Sequence, residues 1–101
     1  MNITIEEKYL NYVLKILNEN LDNSDCRVYV FGSRAKGTTK KYADLDLAID
    51  YNKQNLPFRI LAKLSAAFED SLLPYKVDIV DLNDISNEFK SSIENDLIKL
   101  V

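Results

Sequence analysis

Asp44 and Asp46 are one residue apart in the stretch Ala43-Asp-Leu-Asp-Leu-Ala-Ile-Asp50. On a helix the two side chains would diverge, but on a strand positions i and i+2 share a face. Two carboxylates that close repel, and each raises the other's pKa unless a cation sits between them. A divalent ion with oxygen ligands removes that penalty. With 16 acidic residues in 101, a pair at this spacing also arises by chance, so the pair alone decides little. Asp78 strengthens the case. It interrupts the apolar run Val77-Asp-Ile-Val80, where a charge is costly unless it is paired or binds metal. If its strand lies beside the first, Asp78 joins Asp44 and Asp46. Three carboxylates with two Mg²⁺ ions would make a two-metal site for phosphoryl-type transfer. Asp81 competes for that place, but it stands at the strand end, where a solvated or capping role is the simpler expectation.

The chain has only two glycines, Gly32 and Gly37, and both fall in one loop, Phe31-Gly-Ser-Arg-Ala-Lys-Gly37. Glycine permits positive φ and close approach of backbone to a ligand. Successive N–H groups in such a turn form a concave anion site. Ser33 can add a hydroxyl donor to a phosphate oxygen. Arg34, Lys36, Lys40 and Lys41 gather positive charge there in a chain of net charge −3. The plainer alternative is a surface turn with solvated lysines. The loop is not a Walker A loop, because the Gly-Lys-Ser/Thr ending is missing.

The elements that must position these residues follow from periodicity. Thr4 with Glu7 fits a capping box, and Leu10, Val13, Leu14, Leu17 and Leu21 follow helical spacing, so a helix is expected from about residue 5 to 20. The polar run from Asp22 to Asp25 ends it. Arg27 to Phe31 is a strand, rich in β-branched and aromatic residues. Residues 32–43 form a loop with at most one helical turn. Asp44 to Asp50 alternates with period two and is a second strand. A turn over 51–55 leads to Pro57 and a helix whose stripe is Ile60, Leu61, Leu64, Phe68 and Leu72, running to about Leu73 and stopped by Pro74. Tyr75 to Asp81 is a third strand. A third helix is expected over 86–95 and a short strand over 97–101. The fold class is α/β (α+β): one small mixed β-sheet with helices on one face, the other face partly open. Residues 1–101 are expected to form a single domain.

Composition narrows the function. There is no histidine, which excludes His-based metal sites, Ser-His-Asp triads and Cys-His nucleophiles. The single cysteine, Cys26, allows no internal disulfide and is expected to be a small buried side chain. A pI near 4.9 argues against broad nucleic-acid binding. No apolar run approaches membrane-spanning length. A cytoplasmic protein with no membrane association is expected.

Together these residues resemble a known family. Gly32-Ser33, ten residues, then Asp44-Leu45-Asp46 is similar to the signature of the DNA polymerase β-type nucleotidyltransferase superfamily. The stretch FGSRAKGTTKKYADLDLAID resembles its minimal nucleotidyltransferase (MNT) group, and KVDIVDL resembles that group's third-carboxylate strand. Ala43 departs from the serine that many members carry before the first aspartate. The resemblance implies a polymerase β-like nucleotidyltransferase fold and ATP as substrate. It implies that Gly32 and Ser33, with Gly37, hold the β/γ-phosphates, and that Asp44 and Asp46 bind both Mg²⁺ ions. Asp78 would bind the catalytic metal and help deprotonate an acceptor hydroxyl. Arg34 or Lys36 would offset charge on the leaving pyrophosphate, or face solvent.

At 101 residues the chain is not expected to carry a large acceptor domain as well. The resemblance implies an all-helical HEPN partner protein, toxin to this chain's antitoxin, whose tyrosine receives AMP. Two alternatives stand beside it: transfer to a small molecule such as an aminoglycoside, with a homodimer building the pocket, and a non-catalytic module that neutralises a toxin by contact. Tyr9, Tyr12 and Phe89 belong either to the core or to a partner surface.

Overall fold

The computed structural model describes residues 5–21, 26–37 and 42–101. The expected cap at Thr4, the polar run Asp22–Asp25, and Lys40 and Lys41 lie outside the described residues.

The chain runs α1 (Glu7–Asn20), β1 (Cys26–Phe31), α2 (Ser33–Lys36), β2 (Leu45–Tyr51), α3 (Phe58–Glu69), β3 (Val77–Asp81), α4 (Asn87–Ile93), a single 3₁₀ turn (Glu94–Asp96) and β4 (Ile98–Lys99). The strands form one sheet in the order β3-β2-β1-β4. β1 pairs antiparallel with β2 and β4, whereas β2 and β3 run parallel. A parallel neighbour needs a crossover, and α3 supplies it.

Period-two burial on β2 sorts its side chains. Leu45, Leu47 and Ile49 are fully buried and pack with Val28 and Val30 of β1. Above them lie Val13, Ile16 and Leu17 of α1 and Ile60, Leu64 and Phe68 of α3. That puts both long helices on one face, as expected. The opposite face is covered over part of its area. Phe31, Ala48, Leu82 and Ile93 form a second, smaller core, with Tyr29, Val80 and Leu97 against it, so α4 caps that end and leaves the start of β2 open.

Two local expectations are corrected. The crossover helix stops at Glu69, because the Ser71 hydroxyl donates to the Phe68 carbonyl and the Ser71 amide does the same. Leu72 therefore leaves the apolar stripe and is 75% exposed. Cys26 is half-buried instead of buried, since it heads β1 at the sheet's margin opposite Tyr51. The described start of α1 has Glu6 at its N-cap, with no side-chain cap.

Candidate active site

The site residues are gathered by strand register. Asp46 is the second residue of β2. Across the antiparallel pairing it faces Phe31, the last residue of β1, so the next residue, Gly32, arrives beside its carboxylate. Across the parallel pairing it faces Asp78. Gly32, Asp46 and Asp78 thus make a row over three adjacent strands, on the face away from the long helices. Asp44 lies just before β2, exposed, and its spacing from Asp46 puts it on the same face.

Gly32 is required here by contact as well as by conformation. Its φ/ψ of 74°/−153° is a region open in practice only to glycine. A Cβ there would overlap Asp46 Oδ2 and would lie 3.4 Å from its Cγ. The backbone of the loop therefore lies directly against the carboxylate. Ser33 opens the single turn α2, and Gly37 closes it in the left-handed conformation.

The carboxylates sense each other. Burial, then Asp78, then Asp44 push the Asp46 carboxyl above the ordinary aspartate range. Asp78 is half-buried on an edge strand and pairs with Lys76 at 3.4 Å. Its setting is thus less enclosed than its apolar flanks suggested. Among the described residues no three His, Cys, Asp or Glu side chains close into a metal-holding cluster. The donor set still fits a hard divalent cation, because it is all oxygen and carries mutual repulsion that such an ion would relieve.

Asp81 has other work. Its carboxylate accepts from the Leu56 amide at 2.7 Å and the Asn83 amide at 2.9 Å. It ties the turn before α3 to the far end of β3. The structural role favoured for it from sequence therefore agrees with its geometry.

The two basic candidates differ. Lys36 is on the surface and pairs with Asp96 of the 3₁₀ turn at 3.5 Å. Arg34 is only 4% exposed, which removes the solvent-facing alternative for it. Its Nη2 and Nε donate to the Ala43 carbonyl at 2.7 and 3.2 Å. Its guanidinium carbon lies 3.9 Å from the centre of the Tyr75 ring, a stacking worth about 0.5–2 kcal/mol. Tyr75 and Lys76 were not singled out from sequence. Lys76 could have been, because it shares a strand face with Asp78 by period two.

The polymerase β nucleotidyltransferase family model matches residues 11–101. The chain belongs to this family of nucleotidyltransferases. Over 91 residues it is 40% identical to the probable protein adenylyltransferase MntA of Haemophilus influenzae, covering 90% of this chain and 77% of that one. Over 73 residues it is 37% identical to a putative protein adenylyltransferase of Methanocaldococcus jannaschii, covering 70% and 71%. Among solved structures, a mutant MntA–HpeT toxin–antitoxin matches with a TM-score of 0.70 at 20% identity, over 91% of this chain and 71% of that one. A toxin–antitoxin crystallised with AMP-PNP matches with a TM-score of 0.55 at 27% identity, over 79% and 62%. The mixed sheet expected from sequence is thus that of the nucleotidyltransferase fold. Among the described residues no helix is long and apolar enough to cross a membrane.

Proposed function

We propose that this chain transfers AMP from ATP to a hydroxyl of a partner protein, a tyrosine of an all-helical HEPN chain, as the antitoxin of a cytoplasmic pair. The observation that carries the reading is the row Gly32–Asp46–Asp78, with a backbone against one carboxylate and a second carboxylate in register beside it. The names of the 40% and 37% identical relatives support protein as the acceptor class. The neighbour crystallised with AMP-PNP supports an adenine nucleotide.

In this reading Asp44 and Asp46 would hold Mg²⁺, with Asp78 as a further ligand. Mg²⁺ supplies charge neutralisation at the phosphates. Gly32 and Ser33 hold the β- and γ-phosphates through backbone N–H groups and the Ser33 hydroxyl, with Gly37 shaping the turn. Asp78 accepts the proton of the acceptor hydroxyl. The acceptor oxygen forms a bond to the α-phosphorus, the bond to the β-bridging oxygen breaks in line, and pyrophosphate leaves. Positioning and electrostatics do most of such work. Lys36, beside the loop, offsets charge on the leaving group.

A cleft of about 590 Å³ beside Asp78, lined by Leu61, Phe68, Leu73, Tyr75 and Val77, favours a second reading. Its size suits a small molecule, which would then be the acceptor. One experiment separates the readings. The chain is incubated with its co-purified partner, Mg²⁺ and α-labelled ATP, and the partner's intact mass is taken. A gain of AMP units, lost in Asp44→Asn and Asp46→Asn, establishes protein adenylylation. An unlabelled partner with a labelled aminoglycoside establishes the second reading. Labelling that survives both variants refutes the assigned roles.

A further inference from the structure

The assembled row depends on how two strand starts are spaced. β2 begins at Leu45 and carries Asp46, with Ala43 and Asp44 just ahead of it. β3 begins after Tyr75-Lys76 and carries Asp78. The first rung joining them is the Leu45 amide donating to the Lys76 carbonyl at 2.9 Å. Arg34 lies against both lead-ins. One edge of its guanidinium donates twice to the Ala43 carbonyl, and its face rests on the Tyr75 ring. Its own backbone is in α2, two residues after Gly32. This one buried cation therefore touches all three segments that bring Gly32, Asp44, Asp46 and Asp78 together.

We propose that Arg34 is a positioning residue for nucleotidyl transfer, wedged between the Ala43 carbonyl and the Tyr75 ring so as to set the spacing of the carboxylates on β2 and β3. The proposal rests on the function assigned above. It separates Arg34 from its loop neighbours, because its Nε and Nη2 are turned to protein, and a planar fork suits a carbonyl at the edge and an aromatic ring at the face. Tyr75 is the complementary half. Its hydroxyl is buried with no hydrogen-bond partner among the described residues. Its ring also meets Tyr9 edge-on, with centroids 6.1 Å apart. The tyrosine is thus used for its ring face, and a phenylalanine would serve equally.

The test uses Arg34→Met, Arg34→Lys, Tyr75→Phe and Tyr75→Leu in the full chain, with two readouts. The first is amide hydrogen exchange without nucleotide or metal. In Arg34→Met the Leu45 amide exchanges about tenfold faster or more, the effect of losing a charge-assisted bond beside that rung. The Leu82 amide, bonded to Ile49 at the other end of the sheet, keeps its wild-type rate. The second is steady-state transfer to the partner. Arg34→Met lowers kcat by about a hundredfold through misplacement of ligating groups, while KM for ATP stays near wild type. Arg34→Lys, which keeps a donor but not the flat face, falls between the two. Tyr75→Leu behaves like Arg34→Met and Tyr75→Phe like wild type.

An unchanged Leu45 amide overturns the proposal. So does a KM for ATP that rises with kcat intact, which would make Arg34 a phosphate ligand. If Arg34→Met does not fold, Arg34→Lys and Tyr75→Leu carry both readouts. If the wild-type chain transfers nothing, the function assigned above fails, and the Leu45 exchange rate still decides whether Arg34 holds the strand start.

Discussion

Gly32→Ala tests the contact on which the site is built. The substitution adds one methyl, and the structure gives it two consequences. The backbone at φ 74°, ψ −153° becomes strained, at a cost of about 1–3 kcal/mol. The new Cβ also falls inside the 3.0 Å that Cβ atoms do not breach, against Asp46 Oδ2, so the carboxylate must swing off its place beside the loop. For a chain of this size the strain lowers the melting temperature by roughly 4–8 °C for each kcal/mol. Displacement of the carboxylate lowers the transfer rate by about a hundredfold, the usual penalty for an error near 1 Å at a reacting centre. Gly37→Ala serves as the comparison. It is strained at φ 74° by a similar amount, about 1–2 kcal/mol. The excess loss of activity in Gly32→Ala over Gly37→Ala therefore reads the Asp46 contact apart from backbone strain. The assays are thermal melting by circular dichroism and α-labelled AMP transfer at a temperature where both variants are folded. A Gly32→Ala protein that melts and turns over like wild type would refute the close approach of loop to carboxylate.

Further outcomes follow from the same geometry. Mg²⁺ at about 100 times its dissociation constant should stabilise the wild-type chain by about 2.7 kcal/mol; Asp46→Asn should lose most of that shift in a melting experiment, and equal shifts in the two proteins would place the ion elsewhere. Burial raises the Asp50 carboxyl, but the Asn83 side chain, the Lys53 amide, Arg27 and Lys90 outweigh it, and the net pKa is lowered. A lowered folded pKa means stability that is present above the ordinary value near 3.8 and is lost as pH falls through the folded one. Asp50→Asn should therefore be less stable at neutral pH and show a shallower acid loss below that value in urea titrations at stepped pH. Asp96→Asn releases Lys36 from its surface pair, and because such pairs contribute up to about 1 kcal/mol, KM for ATP should fall by no more than about fivefold; a rise would show that Asp96 assists the loop. AMP-PNP keeps an ordinary oxygen between its α- and β-phosphates, so it should support AMP transfer, whereas the α,β-methylene analogue should not, as read by the partner's intact mass.

Much of this arrangement could be read from residue order, for identifiable reasons. β2 was legible because one of its faces is buried: Leu45, Leu47 and Ile49 alternate with Asp44, Asp46 and Asp50, so a single strand reports both its core and its site. Asp78 was legible as a candidate, but its partner was not. The Asp46–Asp78 register depends on how α3 returns the chain, and no local pattern encodes that. The end of α3 was misjudged because Leu72 keeps helical spacing while the Ser71 hydroxyl, a short-range competitor for backbone groups, closes the helix first. Arg34 was hidden for a different reason. Its bond to Ala43 joins groups nine positions apart in the chain, and in a string of letters a buried arginine beside lysines looks like another solvated charge. The covering of the second face by α4 escaped notice because the four residues that meet there, Phe31, Ala48, Leu82 and Ile93, come from four separate segments.

The ladder that aligns Asp46 with Asp78 also makes the site intolerant of slippage. Moving β2 by a single position would turn Leu45 and Leu47 toward water and drive the aspartates into the hydrocarbon interior. Shifted pairings are thus ruled out by the same leucines that stabilise the correct one. A nascent or partly degraded copy has no weakened version of the pocket to fall back on, so triphosphate turnover would belong only to chains whose sheet has closed in full.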